Sequence, residues 1–205
     1  MKNPYSQWIF PRLLDRMMGG EPFTPYRQKL LQQAQGDVLE IGFGTGLNLP
    51  HYPPGAIASL TLVDPNPGMG RLAQSRLAQS PFPVTCHTLS SENLPLGDNQ
   101  FDTVVSTWTL CSIPRVAQAL GEIYRVLKPG GVFLFVEHGR SPDPGIYRWQ
   151  QRLTPIQRIL ADGCHLDRDI SALVQAQFPQ GQWERTNEPS LPALGHTFYW
   201  GLARK

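Results

Sequence analysis

Short runs of apolar residues alternate with helix-like segments along the chain from residue 37 onward. The runs are almost continuous in apolar residues, which is typical of strands that are buried on both faces of a sheet. Strands and helices that alternate in this way predict a parallel sheet with helices on both faces. The predicted strands are DVLEI (37–41), SLTLVD (59–64), PVTCHTL (83–89), FDTVVST (101–107) and GVFLFVEH (131–138).

Apolar residues at helical spacing occupy the segments between these strands. One helix is predicted over residues 69–77, and Pro67 just before it suits the first turn of a helix. A second helix is predicted over residues 116–127, and it should end at KPGG (128–131), because Pro and Gly interrupt helices. A third helix is predicted over residues 170–178.

The C-terminal part of the chain departs from this alternation. QWERTNEP (182–189) and HTFYWGLARK (196–205) predict two strands joined by a Pro-rich loop. We expect these strands to form an antiparallel hairpin at one edge of the parallel sheet. The sequence therefore predicts an α/β fold with a doubly wound, mostly parallel sheet of seven strands.

Residues 1–30 are expected to form a helical appendage to a main domain of residues 31–205. Three interpretations of the appendage are open, namely a helix packed on the core, a lid over a ligand, and an anchor at a membrane surface. All three depend on a short apolar face that follows Pro11. The residues of this face are Leu13, Leu14, Met17 and Met18.

Composition limits the choice of partners and location. The 205 residues carry 18 Lys and Arg against 16 Asp and Glu, so the net charge of +2 predicts no nucleic-acid partner. Cys86, Cys111 and Cys164 are far apart and odd in number, which fits a reducing compartment, and no Cys/His spacing predicts a metal site. We find no membrane-spanning stretch and no signal peptide, so a cytoplasmic location is expected.

A glycine-rich turn follows the first predicted strand in VLEIGFGTGLN (38–48). At the carboxyl edge of an open parallel sheet, such a turn lets the backbone approach a ligand closely. Asp64 ends the next predicted strand, 20 residues after Gly44, where a carboxylate can accept both hydroxyls of a ribose. Leu47 stands where a dinucleotide-binding motif has its third glycine, which disfavours a nicotinamide oxidoreductase.

The pattern E-x-G-x-G-x-G, which starts at Glu40, resembles motif I of the class I S-adenosylmethionine methyltransferases. VDPNP (63–67), SSENLP (90–95), FDTVVSTWTL (101–110) and VLKPGG (126–131) resemble later motifs of that family, in the family's order. The resemblance implies a Rossmann-like fold and S-adenosyl-L-methionine as the cofactor. The residues that it assigns to cofactor binding are Glu40, Gly42, Gly44, Gly46, Asn48, Asp64, Pro65, Asn66, Ser90, Ser91, Glu92 and Thr107.

The resemblance also implies which part of the cofactor these residues contact. Asp64 would contact the ribose, residues 90–92 would neighbour the adenine, and Thr107 would lie beside the methionine portion. Ser90 is a departure from the family pattern, which usually has an aspartate at that place.

Segments outside the cofactor motifs point to a narrower group. TLCSI (109–113), FVEH (135–138), the WQQ of residues 149–151 and LADGCHLDRD (160–169) resemble the methyltransferase-like thiol methyltransferases. This resemblance implies S-methylation of a small alkyl thiol or of hydrogen sulfide. Mammalian members begin with an apolar membrane-associating segment that we do not find here, so at most a weak peripheral membrane contact is expected.

Three residues are candidates for catalysis. His138 ends a predicted strand at the ligand edge, where it is either a general base or substrate contact, or a histidine satisfied by backbone groups. Asp162 and His165 either polarise the acceptor from a loop over the methyl group or stabilise that loop. Cys111 and Cys164 are expected to pack in the core or line the pocket, since direct displacement needs no enzyme thiol. A thiol acceptor is a few per cent thiolate at neutral pH, so a strong base is not obligatory.

The predicted function is therefore transfer of a methyl group from S-adenosyl-L-methionine to a small-molecule thiol or sulfide. A phenol, a quinol or a lipid head group is the alternative acceptor, and the apolar N-terminal segment would suit a lipidic one. A cofactor-binding protein without catalysis is the alternative outside the enzyme class. The chain is expected to be a monomer or a homodimer.

Overall fold

Seven strands form one mixed sheet in the computed structural model, which describes residues 4–205. The strands are β1 (Gly36–Ile41), β2 (Ile57–Val63), β3 (Val84–His87), β4 (Phe101–Thr107), β5 (Leu127–His138), β6 (Gln180–Asn187) and β7 (Thr197–Arg204). Their order across the sheet is β3-β2-β1-β4-β5-β7-β6. The first five strands are parallel, whereas β7 pairs antiparallel with both β5 and β6. The predicted fold class and the C-terminal hairpin are confirmed.

Helices precede β1 and lie in most of the connections between the strands. They are a π-helical turn (Tyr5–Ile9), α1 (Phe10–Met18), α2 (Phe23–Leu31), a short 3-10 turn (Leu49–His51), α3 (Pro67–Leu77), α4 (Val116–Val126), α5 (Pro144–Leu160) and α6 (Ile170–Gln177). The chain runs outward from β1 to β3 on one side and from β4 to β5 on the other. The order of the strands thus reverses between β1 and β4, which opens a crevice at their carboxyl ends.

The sheet separates two hydrophobic cores. Leu39 and Ile41 of β1 belong to the core on one face, and Val38 belongs to the core on the other. β5 divides in the same way, with Phe133 on the first face and Leu134 on the second. Both faces of the central strands are therefore buried, which explains their almost continuous apolar sequence.

Two regions differ from the sequence prediction. β5 begins at Leu127 rather than at residue 131, because Phe101 pairs with Leu127 before the register shifts along β4. Gly130 inside this segment has a left-handed backbone with φ of +79°, so the predicted Pro-Gly turn lies within the strand as an irregularity. α5 has no counterpart among the predicted elements, although its apolar residues Ile146, Trp149, Leu153, Ile156 and Leu160 have helical spacing. Pro155 lies inside this helix, and Trp149, Ile156 and Leu160 are exposed.

Helix α2, which ends the N-terminal segment, packs closely against the main domain. Leu30 and Leu31 of α2 are fully buried in the second core, and Phe23 contacts Trp108 with a ring-centroid distance of 5.1 Å. Within residues 4–205, no helix is both long and apolar enough to cross a membrane.

Candidate active site

The glycine loop follows β1 at the point where the order of the strands reverses. Gly42, Gly44 and Gly46 have left-handed backbone angles, with φ of +65°, +56° and +79°. A Cβ atom on Gly42 would overlap the Thr109 side chain, so only glycine lets the loop pass the end of β4. A Cβ atom on Gly44 would find nothing nearer than the Gly42 carbonyl oxygen at 3.9 Å. The loop therefore leaves an open cradle at Gly44.

Glu40 lies beneath this loop and is fully engaged in hydrogen bonds. The Asn48 amide donates to Glu40 Oε1 over 2.9 Å, and the Tyr52 hydroxyl donates to Oε2 over 2.7 Å. Burial raises the pKa of Glu40 to about 7, against the lowering effect of these two donors. The same Asn48 amide donates to Thr107 Oγ1 over 3.0 Å. Glu40 thus fixes Asn48 between β1 and β4.

Asp64 stands at the carboxyl end of β2, beside the glycine loop. Its Oδ2 accepts from the Gly44 amide over 3.1 Å, and its Oδ1 accepts from the Asn66 amide over 2.7 Å. Asn66 in turn accepts from the Gly68 amide over 2.9 Å and caps α3. Pro65, between the two, is exposed. The predicted pair of glycine cradle and carboxylate is therefore formed.

The predicted adenine loop is tied to the start of α4. Ser91 and Glu92 are buried, whereas Ser90 is exposed. The Arg115 amide donates to Glu92 Oε1 over 2.7 Å, and the Ser90 hydroxyl donates to Oε2 over 3.0 Å. The Glu92 carboxylate therefore fixes the loop, and the Ser90 hydroxyl is engaged in a hydrogen bond within the loop.

The N-terminal segment covers the Asp64–Asn66 turn. The Asn66 amide donates to the Ser6 carbonyl over 2.8 Å, and the Ser6 hydroxyl donates to Asp162 Oδ2 over 2.9 Å. A Cβ atom on Gly68 would collide with the Gln7 carbonyl oxygen, so the two backbones are in direct contact. The start of α3, the N-terminal segment and the Asp162 loop therefore meet at one place.

A second set of bonds joins α1 to the glycine loop. Arg76 pairs with Asp15 over 2.8 Å and donates to the Thr45 carbonyl over 2.8 Å, while the Thr45 hydroxyl donates to Asp15 over 2.6 Å. Leu14 and Met18 of the predicted apolar face are half-buried. The large apolar side chains that stay exposed on this segment are Trp8, Ile9, Leu13 and Met17.

Three buried polar atoms near the glycine loop have no hydrogen-bond partner among residues 4–205. They are Arg27 Nε, Asn48 Oδ1 and Trp108 Nε1. The Arg27 guanidinium lies 4.8 Å from the centre of the Trp108 ring and donates to the Met18 carbonyl over 2.7 Å. Burial lowers the pKa of Arg27 to about 10, against the effect of Glu40.

These atoms bear on whether the site suits S-adenosyl-L-methionine. An unpaired buried donor or acceptor costs about 1–3 kcal/mol, so three together indicate a ligand that supplies their partners. An amino-acid group fits two of them, because its carboxylate accepts from Arg27 and its ammonium donates to Asn48. The open cradle at Gly44 and the carboxylate of Asp64 suit the nucleoside part. The residues present therefore fit the cofactor that the sequence predicts.

A cluster of two thiols and an imidazole lies at the carboxyl ends of β4 and β5. The side-chain donor atoms of Cys111, His138 and Cys164 all lie within 4.8 Å of one another, and His138 Nε2 is 2.9 Å from Cys164 Sγ. The bond from Cys164 holds the pKa of the Cys111 thiol well below its usual range, although burial opposes this. Burial acts to lower the pKa of His138, but Cys111 and Glu137 raise it overall.

Glu137 is fully buried and holds the turn after β4. Its Oε1 accepts from the Ser106 hydroxyl over 2.8 Å and from the amides of Thr109 and Leu110 over 3.0 Å each. Burial raises the pKa of this carboxyl to about 8. The turn that carries Cys111 is therefore fixed from below by β5.

The three predicted catalytic residues lie in one region but have different neighbours. His138 faces Cys164, as described above. His165 donates its backbone amide to the Cys111 carbonyl over 2.9 Å, and its Nδ1 is 3.1 Å from the same oxygen. Asp162, with a left-handed φ of +45°, bonds to Ser6 instead. The structure thus joins His138 and His165 to the two cysteines and joins Asp162 to the N-terminal segment.

Sequence reasoning missed several of these features. Arg27 and Trp108 give no local signal, because their roles depend on how α2 packs against the end of β4. The three bonds from the end of β4 and its turn to Glu137 join two neighbouring strands, so they also give no local signal. The absence of a metal site was expected from cysteine spacing alone, yet the fold brings Cys111 and Cys164 to one histidine.

Known proteins resemble the chain in sequence and in fold. A family model described as a methyltransferase domain matches residues 39–135. Thiol S-methyltransferase TMT1B of Rattus norvegicus is 38% identical over 155 residues, which cover 72% of this chain and 62% of the rat protein. The chain thus spans less than two thirds of that relative's length. Human thiol S-methyltransferase TMT1B is 34% identical over 194 residues, which cover 91% of this chain and 79% of the human protein.

Similarity in structure extends to proteins of lower sequence identity. The solved structure of a Haemonchus contortus phosphoethanolamine N-methyltransferase, which holds S-adenosylhomocysteine, matches with a TM-score of 0.71 at 16% identity. The match covers 95% of this chain and 57% of that chain. At this level of identity, the likeness shows the common fold.

Proposed function

Because the chain belongs to the methyltransferase family that contains human thiol S-methyltransferase TMT1B, we propose that it methylates the sulfur of a small thiol. S-adenosyl-L-methionine is the methyl donor. The observation that carries the acceptor class is the 34% identity to a thiol S-methyltransferase, which extends over 91% of this chain. This alignment extends well beyond the cofactor motifs, which lie between residues 40 and 131.

Contacts at the crevice between β1 and β4 support the proposed cofactor-binding roles. Asp64 accepts the ribose hydroxyls, beside the cradle at Gly44. Arg27 and Asn48 bind the carboxylate and the ammonium of the methionine portion, which their unpaired buried atoms support. Residues 90–92 neighbour the adenine, and because Glu92 is already bonded to Arg115, that contact is made mainly by the loop backbone.

The bound cofactor supplies a methyl group on a positively charged sulfur. The protein's part is to hold the acceptor sulfur in line with that methyl group and to keep water away, which together can contribute about 7–11 kcal/mol. His138 lies on the acceptor side, at the carboxyl end of β5, and takes part in deprotonating the thiol. Asp162 and His165 are positioning residues, because they bond to Ser6 and to the Cys111 carbonyl respectively.

The N-terminal segment serves as a lid over the cofactor. Its support is the contact between Ser6 and Asn66, together with the network of Asp15, Arg76 and Thr45. These bonds join the segment to the Asp64–Asn66 turn and to the glycine loop. A lid of this kind excludes water from the reacting groups.

The test is release of S-adenosylhomocysteine across a panel of sulfide, alkyl thiols, phenols, a quinol and a lipid amine. We expect turnover with the thiols and sulfide alone. Turnover confined to another acceptor would keep the methyltransferase and refute the thiol assignment. Asp64→Ala serves as the matched control, because it should lose turnover with every acceptor through the cofactor.

A further inference from the structure

Cys111 and Cys164, whose thiols have no role in the methyltransferase chemistry above, form a site together with His138. We propose that the three side chains bind one zinc ion through the two Sγ atoms and His138 Nε2, and that the acceptor thiol occupies the fourth position as a thiolate. Zinc binding stands on the geometry of the three side chains. The role of the fourth position rests on the proposed function.

The positions of the donor atoms suit a small tetrahedral site. Zinc lies about 2.3 Å from sulfur and about 2.0–2.1 Å from nitrogen, so tetrahedral ligand atoms are about 3.5–3.8 Å apart. All three donor atoms lie within 4.8 Å of one another. His138 Nε2 and Cys164 Sγ, at 2.9 Å, need to separate by about 0.6 Å to match that spacing. Both cysteines are free thiols.

Three different parts of the fold supply the ligands. Cys111 lies in the turn after β4, His138 is the last residue of β5, and Cys164 lies in the loop between α5 and α6. Glu137 fixes the first of these positions through its bonds to the β4 turn. The His165 contacts to the Cys111 carbonyl join the third element to the first. The geometry of the cluster is therefore determined by the fold and not by one flexible loop.

Burial and charge favour a divalent cation at this place. Cys111 is 2% exposed and Cys164 is 8% exposed, and two thiols buried this deeply ionise together only beside a positive partner such as a bound metal ion. Zinc with two thiolates has no net charge, and sulfur and imidazole are ligands that it prefers. The Ser112 hydroxyl lies 3.5 Å from Cys111 Sγ, and the Gln157 amide donates to Cys164 Sγ over 3.9 Å. Polar hydrogens of this kind support metal-bound sulfur.

The cluster offers three protein ligands, and this number indicates a zinc ion with one open position for the acceptor. Among residues 4–205 the group contains three ligands, whereas structural zinc sites use four, and zinc with three protein ligands keeps one position open. A thiol that binds zinc there loses its proton, which passes to solvent. The thiolate sulfur then forms the new bond to the methyl carbon with its own electron pair. The old carbon–sulfur bond breaks, its electron pair stays on the cofactor sulfur, and S-adenosylhomocysteine and the methyl thioether result.

The cluster and the cofactor crevice share one short turn. Thr107 at its start accepts from the Asn48 amide, and the Thr109 hydroxyl donates to the Gly42 carbonyl over 3.2 Å. Cys111 ends the same turn. Residues 107–111 therefore connect the cluster directly to the cofactor crevice.

The first experiment measures metal binding by the full chain. The purified protein is stripped with a chelator and titrated with Zn²⁺ alone, and then with Co²⁺ alone to observe the absorption of cobalt bound to thiolate. We expect about one ion per chain, and an affinity more than about tenfold lower in Cys111→Ser and Cys164→Ser. Cys86→Ser is the matched control, because Cys86 is an exposed free thiol and should bind as the wild type does.

The outcomes separate this proposal from the proposed function. Absence of a thiolate–cobalt band in the stripped wild type overturns the site, and this reading needs no variant to fold. Thiol methylation at an unchanged rate in the metal-free protein overturns the role of the fourth position. Metal binding without methylation of any thiol overturns the proposed function and leaves the zinc site standing. Loss of thiol turnover on stripping, with recovery on Zn²⁺ addition and unchanged binding of S-adenosylhomocysteine, supports both.

Discussion

Glu40 should make the folded chain less stable as the pH rises from about 4.5 to about 7. Burial raises the pKa of this carboxyl from 4.5 to about 7 in the folded chain. Between these two values the unfolded chain releases a proton that the folded chain keeps. Because stability falls with pH wherever the folded state binds more protons, this group opposes folding increasingly across the interval. The gap between the two pKa values corresponds to about 3 kcal/mol of unfolding free energy.

The substitution that isolates this effect is Glu40→Gln. An amide has nearly the shape of the carboxyl and can still accept from Asn48, but it does not titrate. Urea unfolding of both proteins from pH 4.5 to pH 8 then gives the difference in their unfolding free energies at each pH. We expect the variant to gain about 3 kcal/mol on the wild type over this interval. A constant offset from a changed bond to Tyr52 does not affect the slope.

Glu122→Gln is a matched control for this measurement. The hydrogen bond from Arg125 holds the pKa of Glu122 below its usual range, so its stabilising effect is lost only as the pH falls. Above about pH 5 the curve of this variant should run parallel to that of the wild type. If the difference between Glu40→Gln and the wild type is constant within about 0.5 kcal/mol from pH 4.5 to pH 8, Glu40 is ionised when buried and our reasoning fails.

Three further predictions concern the cofactor and its lid. Arg27→Met should weaken S-adenosylhomocysteine binding about 10- to 100-fold in calorimetry, because a charged hydrogen bond is lost. Arg27→Lys should lose less affinity. Equal binding by the wild type and both variants would remove Arg27 from the site. Asp64→Ala should weaken the same binding at least about tenfold, with Asp64→Asn between it and the wild type, and an unchanged affinity would contradict the assignment to the ribose. Asp15→Asn should speed proteolytic cleavage near residue 18. It should lower the free energy of unfolding by less than about 1 kcal/mol, because the ion pair with Arg76 is partly exposed. Unchanged cleavage would argue against a mobile lid.

The central sheet could be predicted because its signals are local. Strands β1, β4 and β5 are buried on both faces, so their apolar residues form runs that are visible in the sequence itself. The glycine loop is equally local, since the left-handed angles at Gly42 and Gly44 demand glycine within a few residues of the strand end. Asp64 follows from the same reasoning, because the ends of adjacent parallel strands meet at one edge.

The Cys–His cluster could not be predicted, because its members share no local pattern. His138 and Cys164 are 26 residues apart, and a whole helix lies between them. Their meeting depends on the path of the loop after α5, which a sequence period does not describe. Arg27 is a similar case, since its burial depends on packing against Trp108 and not on its own helix.

The loop between α5 and α6 connects the lid to the Cys–His cluster. Asp162 bonds to Ser6 of the N-terminal segment, and Cys164, two residues later, lies 2.9 Å from His138 Nε2. Two residues span at most about 7 Å, so the contact with the lid and the Cys–His cluster lie next to each other. Opening of the lid breaks the bond from Ser6 to Asp162, whereas Glu137 and the His165 contacts still hold the turn that carries Cys111. We therefore expect the zinc ligands to stay in place when the lid opens, and the lid to control the access of the acceptor and of water to them.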